Sequence, residues 1–351
     1  MDDDDPVLNR KMMKKCAVSY PVAHRQGFNW VRNSCYLDSV LWVLFSSPIP
    51  FIDNKILFSR PSPDRLHEIA SCHNGLNDLN ERIFLEFQIQ FRKVAAYFRC
   101  GIGQKDCSGF RKLFEKWYND PRCSRIRNKV RFHSGEQHEA QEFLQFILSL
   151  YGMNGQYRFG AVSEEKFHYG VSHTPRVETI WKYIYSRKDY RQSIVWNVPF
   201  QVLFHTPSQN RSISTFLTRH DEIWNINKKY KKCDFNCMKT FHTLIRFADF
   251  QVISLERSHP IKLNVCHYRV NIPPTLTDSQ QKTLRLVGII CHHGEYTDSG
   301  HYTAYALSTI NNNWYYYDDM NPPIQKIGGV ENLQGIKHIN SHGVLFFYAK
   351  I

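Results

Sequence analysis

No stretch of this chain is apolar for the roughly 18 residues that a bilayer-spanning helix needs, so a membrane partner is not expected. The start, Met1-Asp2-Asp3-Asp4-Asp5, lacks the basic and apolar regions of a secretory signal. The ten cysteines, spread from Cys16 to Cys291, lack the regular spacings of a disulfide framework. These absences together lead to the expectation of free thiols in a reducing compartment, the cytoplasm by default with nuclear entry left open. Acidic residues are outnumbered, 32 against 45 basic, which leaves a formal net charge of +13. The excess gathers at Arg122, Arg125, Arg127, Lys129 and Arg131 and again at Lys228, Lys229, Lys231 and Lys232. No zinc-finger spacing, helix-turn-helix pattern or aromatic RNA-binding signature accompanies those runs. Nucleic acid is therefore not the expected partner, and the runs read as solvated faces or a surface for an acidic protein. Internal repeats and low-complexity segments are also missing.

What is present is an ordinary globular composition, 42% hydrophobic and 22% charged, over 351 residues. That length can bury a sizeable core and matches many single catalytic domains. Residues 1–20 are charged and without pattern, a loose leader. After Cys35, the residues Leu37, Val40, Leu41, Leu44 and Phe45 recur at helical spacing until Ser46-Ser47-Pro48. Leu79, Ile83, Phe84, Phe87, Phe91 and Val94 predict a second helix over 77–98. A third is predicted from Ser134, where Ser134-Gly135-Glu136-Gln137 fits a capping box, through Leu148 to about Gly152. From about 157 the texture changes to short β-branched and aromatic runs: 193–198, 250–255, 283–291, 301–307, 314–318 and 343–349. Helices first and strands later indicate an α+β fold.

Two distant segments carry the chemistry. Asn33-Ser34-Cys35-Tyr36-Leu37-Asp38-Ser39 ends a polar approach in a cysteine at a helix start, where the macrodipole favours a thiolate. A buried structural thiol is the bland alternative. Asp298-Ser299-Gly300-His301-Tyr302-Thr303-Ala304-Tyr305 puts a histidine at the head of a strand. Asn311-Asn312-Asn313 marks a turn, and Trp314-Tyr315-Tyr316-Tyr317 returns to Asp318-Asp319. In such a hairpin the first residue of one strand lies near the last of the other, so Asp318 can orient His301. Nucleophile, base and orienting carboxylate are the parts of a cysteine hydrolase. A mere surface pair of His301 with Asp318 is the alternative.

These segments, taken with Gln137-His138-Glu139-Ala140-Gln141-Glu142-Phe143-Leu144 and Val344-Leu345-Phe346-Phe347-Tyr348, resemble the boxes of the ubiquitin-specific proteases, in that family's order. Val252-Ile253-Ser254-Leu255-Glu256-Arg257 is a weaker echo. The resemblance implies a papain-like fold with a helical thumb lobe (about 28–152) and a β-rich finger and palm region (about 157–350), the fingers being reduced. It implies one catalytic domain over 21–351, acting as a monomer on ubiquitin or ubiquitinated proteins. Cys35 would be the nucleophile, His301 the base, Asp318 the orienting carboxylate with Asp319 in support, and Glu139 and Glu142 the binders of ubiquitin's basic tail. Asp38 in place of the family's usual asparagine makes the cysteine box similar to that of the cylindromatosis-type deubiquitinase.

The chain departs from the family in two places. The family's oxyanion asparagine stands five residues before the cysteine, and here that position is Trp30, leaving Asn29 or Asn33 as stand-ins. A weak or dead ubiquitin-binding relative is therefore one alternative function, and a protease for another ubiquitin-like modifier is a second. The family's zinc-binding fingers use two Cys-x-x-Cys pairs. This chain offers Cys233 and Cys237 with three residues between them, plus His168 and His173. A Cys2His2 zinc site is chemically reasonable, but the loose spacings favour fingers without metal and an enzyme without a cofactor.

Overall fold

A computed structural model of the chain describes residues 27–59, 81–120 except 102 and 104, 135–153 except 152, 247–258, 264–278, 281–296, 299–321 and 323–351. Between 157 and 243 it describes the strands named below, residue 194 and the turn 208–214. Both basic runs and the leader lie outside the described residues.

The first predicted helix is α1, Cys35–Phe45, and every one of its residues is buried. A helix buried on every side can only be central, and α1 is packed from both sides. Trp42 stacks on Tyr317 at 5.1 Å, and Phe45 stacks on Phe91 at 5.1 Å. The sheet approaches α1 most tightly at Gly288, where an added β-carbon would lie 2.3 Å from a methyl of Val43. Each large apolar side chain buried this way contributes about 1.5–3 kcal/mol.

The last carbonyls of α1 have no partner within the helix. Arg99 on α2, Glu81–Cys100, supplies one. Its Nε donates to Phe45 O at 2.9 Å and its Nη2 to Ser47 O at 3.1 Å. The same guanidinium is paired with Asp53 at 2.8 and 2.9 Å, so the buried charge is balanced. Asp53 belongs to a short bent helix spanning Pro50–Leu57.

The sequence reading missed α3, Ser108–Tyr118, although Phe110, Phe114, Trp117 and Tyr118 all reach the core. Its start is a polar, glycine-containing stretch with no strong stop or start signal, and Asp106 Oδ1 accepts the Ser108 N–H at 2.8 Å. The third predicted helix begins later than expected. It is α4, Ala140–Leu150, with Glu139 extended at its N-cap. The capping box at Ser134 is not the helix start, because Gly135 has φ +116° and the chain runs non-helical up to Glu139. The expectation of free thiols also needs correction: Cys100 is disulfide-bonded, whereas Cys35, Cys107, Cys266 and Cys291 are free.

The β-rich part is built on an eight-stranded sheet in the order β13-β12-β11-β10-β14-β8-β5, with β9 also on β10. Here β5 is Val195–Val198, β8 is Phe250–Leu255 and β9 is Thr275–Thr277. The strands nearest the site are β10, Thr283–Tyr296, β11, Ser299–Leu307, and β12, Trp314–Tyr317. The sheet is completed by β13, Gln325–Gly328, and β14, Gly343–Ala349. Only β5 with β8 is parallel. The predicted strands 250–255 and 343–349 appear with their predicted limits, and β10 runs five residues further than predicted. Two short helices, α5 (Val330–Gln334) and α6 (Lys337–His342), lie between β13 and β14.

A second sheet has the order β3-β2-β7-β6, from β2 (Ser163–Val171), β3 (Thr174–Lys182), β6 (Arg219–Asn225) and β7 (Phe235–Thr243). A two-stranded ribbon pairs β1, Tyr157–Phe159, with β4, Tyr190–Gln192. No single helix among the described residues is long and apolar enough to cross a membrane.

Candidate active site

Cys35 is the first residue of α1, as the sequence predicts, and is 3% exposed. The thiolate expected from the helix dipole is not what the surroundings favour. Burial pushes the thiol up to about 12, and the carboxyls of Asp319 and Asp38 add to that. The backbone N–H groups of Tyr302 and Tyr36 pull the other way, because they point at the sulfur. Cys35 therefore rests as a thiol against the residue that follows His301.

The loop before it is bent sharply. Arg32 and Asn33 both have positive φ, +39° and +57°, an uncommon conformation for residues with a β-carbon. Arg111 of α3 holds that bend from inside, donating to Val31 O at 2.5 Å and Arg32 O at 3.0 Å. Ser34 Oγ accepts the Val31 N–H at 3.1 Å and donates to Asp38 Oδ2 at 2.6 Å. Asn33 donates its side-chain amide to Gly135 O at 2.9 Å, which ties the nucleophile loop to the segment entering α4. Asn29 is exposed and donates its backbone N–H to Lys105 O. Trp30 is 45% exposed.

On the opposite wall, β11 and β12 pair with Leu307 opposite Trp314 and Ala304 opposite Tyr317. That register leaves His301 beside the residues that follow β12. His301 Nε2 lies 2.8 Å from Asp318 Oδ1 and 3.7 Å from Asp319 Oδ1. Asp318 is thus the direct hydrogen-bond partner, and Nδ1 is the ring nitrogen left to serve a thiol. Burial works upward on the Asp318 carboxyl. Hydrogen bonds from Asn321, His301 and the Met320 N–H outweigh it and hold the group below the usual carboxylate range. Asp319 is 3% exposed and moves the other way, raised by burial and by the carboxyl of Asp38.

The polar segment 294–300 is largely hairpin: β10 continues to Tyr296, and β11 starts at Ser299 after a bulge. Gly300 has φ +140°, and an added β-carbon there would lie 2.7 Å from His293 O. Only glycine fits directly before His301.

A cleft lined by Glu139, Ser254, Glu256, His292, Tyr302 and Leu345 opens beside Tyr302. The Glu139 carboxyl is raised by the desolvation of this cleft and by the charges of Glu142 and Glu256, and Glu256 is raised by burial. Glu142 accepts the Tyr118 hydroxyl. The neighbouring Arg257 does not neutralise the cleft, because its guanidinium is spent on Gly343 O, Tyr268 O and Asn340 O at 2.6–3.0 Å. Glu256 was legible only as part of a weak echo, and Arg111 gave no sequence signal at all.

Two of the four zinc candidates, His168 and Cys237, stand on described strands. His168 is opposite Met238 and Cys237 is opposite Tyr169, so the register sets these two positions on opposite faces of the sheet. Cys233 and His173 lie outside the described residues.

Comparison with known proteins places this geometry. The sequence pattern of the family described as ubiquitin carboxyl-terminal hydrolase matches residues 26–348. Among solved structures, a chain of the SAGA Ubp8/Sgf11/Sus1/Sgf73 DUB module bound to ubiquitin aldehyde is similar at 12% identity and a TM-score of 0.50. The match covers 94% of this chain and 70% of that one. In the same module bound to monoubiquitin, the values are 14% identity and 0.51, over 98% and 74% of the two chains. Likeness at such low identity speaks for the fold, while the family match spans nearly the whole sequence. The chain belongs to the ubiquitin carboxyl-terminal hydrolase family and is a cysteine-type deubiquitinase with a papain-like α+β fold.

Proposed function

We propose that residues 21–351 act as one catalytic domain in which Cys35 is the nucleophile, His301 the general base and Asp318 the carboxylate that orients it. One observation carries this reading. His301 is held by Asp318 at 2.8 Å through Nε2, while the Tyr302 N–H, one residue on, points at the Cys35 sulfur. In the first step the thiol proton passes to His301 Nδ1 as sulfur attacks the carbonyl carbon of ubiquitin's C-terminal glycine. The imidazolium then gives that proton to the departing lysine amine as the C–N bond breaks, leaving a thioester. Water, deprotonated by His301, attacks the thioester and releases the ubiquitin carboxylate and the Cys35 thiol.

The basic tail of ubiquitin fits the cleft beside Tyr302, where Glu139 and Glu256 face it and Glu142 adds charge behind them. The ubiquitin complexes among the similar structures support this choice of substrate. The developing oxyanion would meet the Cys35 N–H, which stands in the first helical turn and has no acceptor there. With Trp30 in place of an asparagine donor, turnover about 100- to 1000-fold below a fully equipped site is the expected cost. Asp38 supports the likeness of the cysteine box to the cylindromatosis type.

The test is reaction of the purified protein with ubiquitin bearing a thiol-reactive C-terminal warhead. An adduct that forms with wild type and not with Cys35→Ala is the expected result. Ubiquitin binding without an adduct would favour a dead relative, and neither binding nor adduct would point to another modifier.

A further inference from the structure

Asp38 lies one turn after Cys35 on α1 and is fully buried, and Asp319 follows β12 with 3% exposure. Their carboxyl groups face each other beneath the nucleophile. Asp38 Oδ2 is satisfied by Ser34, but Asp38 Oδ1 and both oxygens of Asp319 are buried without a protein donor. An ionised carboxylate only accepts hydrogen bonds, so contact between two of them requires a proton on one. The thiol of Cys107 and the hydroxyl of Ser34 serve Asp38, but neither oxygen of Asp319 has a hydrogen-bond partner. Cys35 and Tyr36 face the pair from α1, Cys107 and Arg111 from α3 and its lead-in, His301 from β11, and Tyr317 and Asp318 from the end of β12. Arg111 is the one permanent cation in that set, and its guanidinium also serves the carbonyls of Val31 and Arg32.

We propose that Asp38 and Asp319 hold a single proton between them and act as a positioning pair, joining the helix that carries Cys35 to the end of β12, the strand paired with the one that carries His301. The pair touches neither substrate nor the reacting atoms. Its work is to keep two packed elements in register and to limit the negative charge under the sulfur. An asparagine at position 38 would donate to Asp319 at any pH. An aspartate can do so only while the shared proton stays. When that proton leaves to solvent, the O–H···O bond is lost, two carboxylates face each other in a buried site, and the thiol becomes harder to ionise. Alkaline inactivation is therefore built into this version of the site.

This inference rests on the roles proposed for Cys35 and His301, so its test has one arm that needs neither. The first arm is kcat/KM against pH, with ubiquitin carrying a fluorogenic C-terminal amide as substrate. Wild type is expected to lose about tenfold between about pH 7 and about pH 9, and Asp38→Asn to keep a flat profile over that range. The second arm is the infrared carbonyl band of a protonated carboxylic acid near neutral pH. It should weaken in Asp38→Asn and in Asp319→Asn relative to wild type, and Asp319→Asn serves if Asp38→Asn does not fold. Matching alkaline limbs in wild type and Asp38→Asn would overturn the proposal, as would a band unchanged in both variants. An inactive wild type whose band still depends on Asp38 and Asp319 would count against the mechanism and not against the pair.

Discussion

On the β-rich wall of the cleft, His301 and Asp318 are partly open to solvent and every charge is answered. On the helical wall, Cys35 and Asp38 are buried, and that burial disfavours charge on both. The divide falls between two consecutive residues. Asp318 collects donors from Asn321, Met320 and His301 and stays ionised, while Asp319 turns inward and is raised. Opposite shifts in neighbouring carboxyls usually mean different jobs. The base is held in one orientation by a charged carboxylate, and the nucleophile is kept as a thiol until a substrate is present for it to attack. The thiolate need not pre-exist, because the proton has a defined acceptor one residue from the N–H that touches the sulfur.

The sharpest way to break that contrast is to remove the answered charge. Asp318→Ala should lower the rate of ubiquitin hydrolysis by about 100- to 10,000-fold, the span attributed to positioned acid–base partners. Rapid-mixing kinetics at saturating substrate would measure it. Asp319 stands 3.7 Å from the same nitrogen. If it can take over in part, Asp318→Ala with Asp319→Asn will be slower than Asp318→Ala alone. Equal rates would confine Asp319 to the buried pair.

Arg111 is the equivalent point on the helical wall. It is 4% exposed, caps the left-handed bend before Cys35 through two carbonyls, and supplies the positive charge facing Asp38. Arg111→Leu should cost about 3–5 kcal/mol of stability, the usual result of stripping one partner from a buried charged network. Denaturant unfolding would show it as a lowered midpoint. A loss under about 1 kcal/mol would mean that the bend at Arg32 and Asn33 is held by the loop itself.

How much of this was legible beforehand follows from where each signal lies in the chain. Cys35, His301 and Asp318 sit in segments whose spacing, turn residues and strand ends fix their neighbours locally, and β11 with β12 closed as a hairpin of those residues should. The strands β8 and β14 were equally plain because both are short runs rich in β-branched and aromatic residues. The helix α3 was not, since its amphipathic face is short and its start lacks a clear cap. Arg111 was therefore invisible, because its function depends on a contact with residues 79 and 80 positions away. The capping box at Ser134 failed for the same kind of reason. A local pattern was overridden by the positive φ at Gly135, whose carbonyl accepts the Asn33 amide. The state of the thiol was beyond any local reading, since the helix dipole is a property of a few residues and burial is a property of the whole core.

The mildest perturbation acts at the cleft between the two walls, where Glu139 and Glu256 face open space with Arg257 committed elsewhere. A basic ubiquitin tail passing there is attracted by both carboxylates in the ground state and the transition state alike. Such uniform binding is expressed in KM and leaves kcat alone. Glu256→Gln should raise KM by about two- to fivefold with kcat unchanged, as fits one charge at a solvent-connected site. The effect should shrink as salt is added. Burial raises the Glu256 carboxyl, so its charge is lost earlier than usual as the medium is acidified. On acidification the wild-type KM should accordingly begin to climb above the usual carboxylate range, and the Glu256→Gln profile should climb less. Parallel profiles would assign the acidic dependence to Glu139 alone and leave Glu256 as a wall of the cleft without a part in holding the tail.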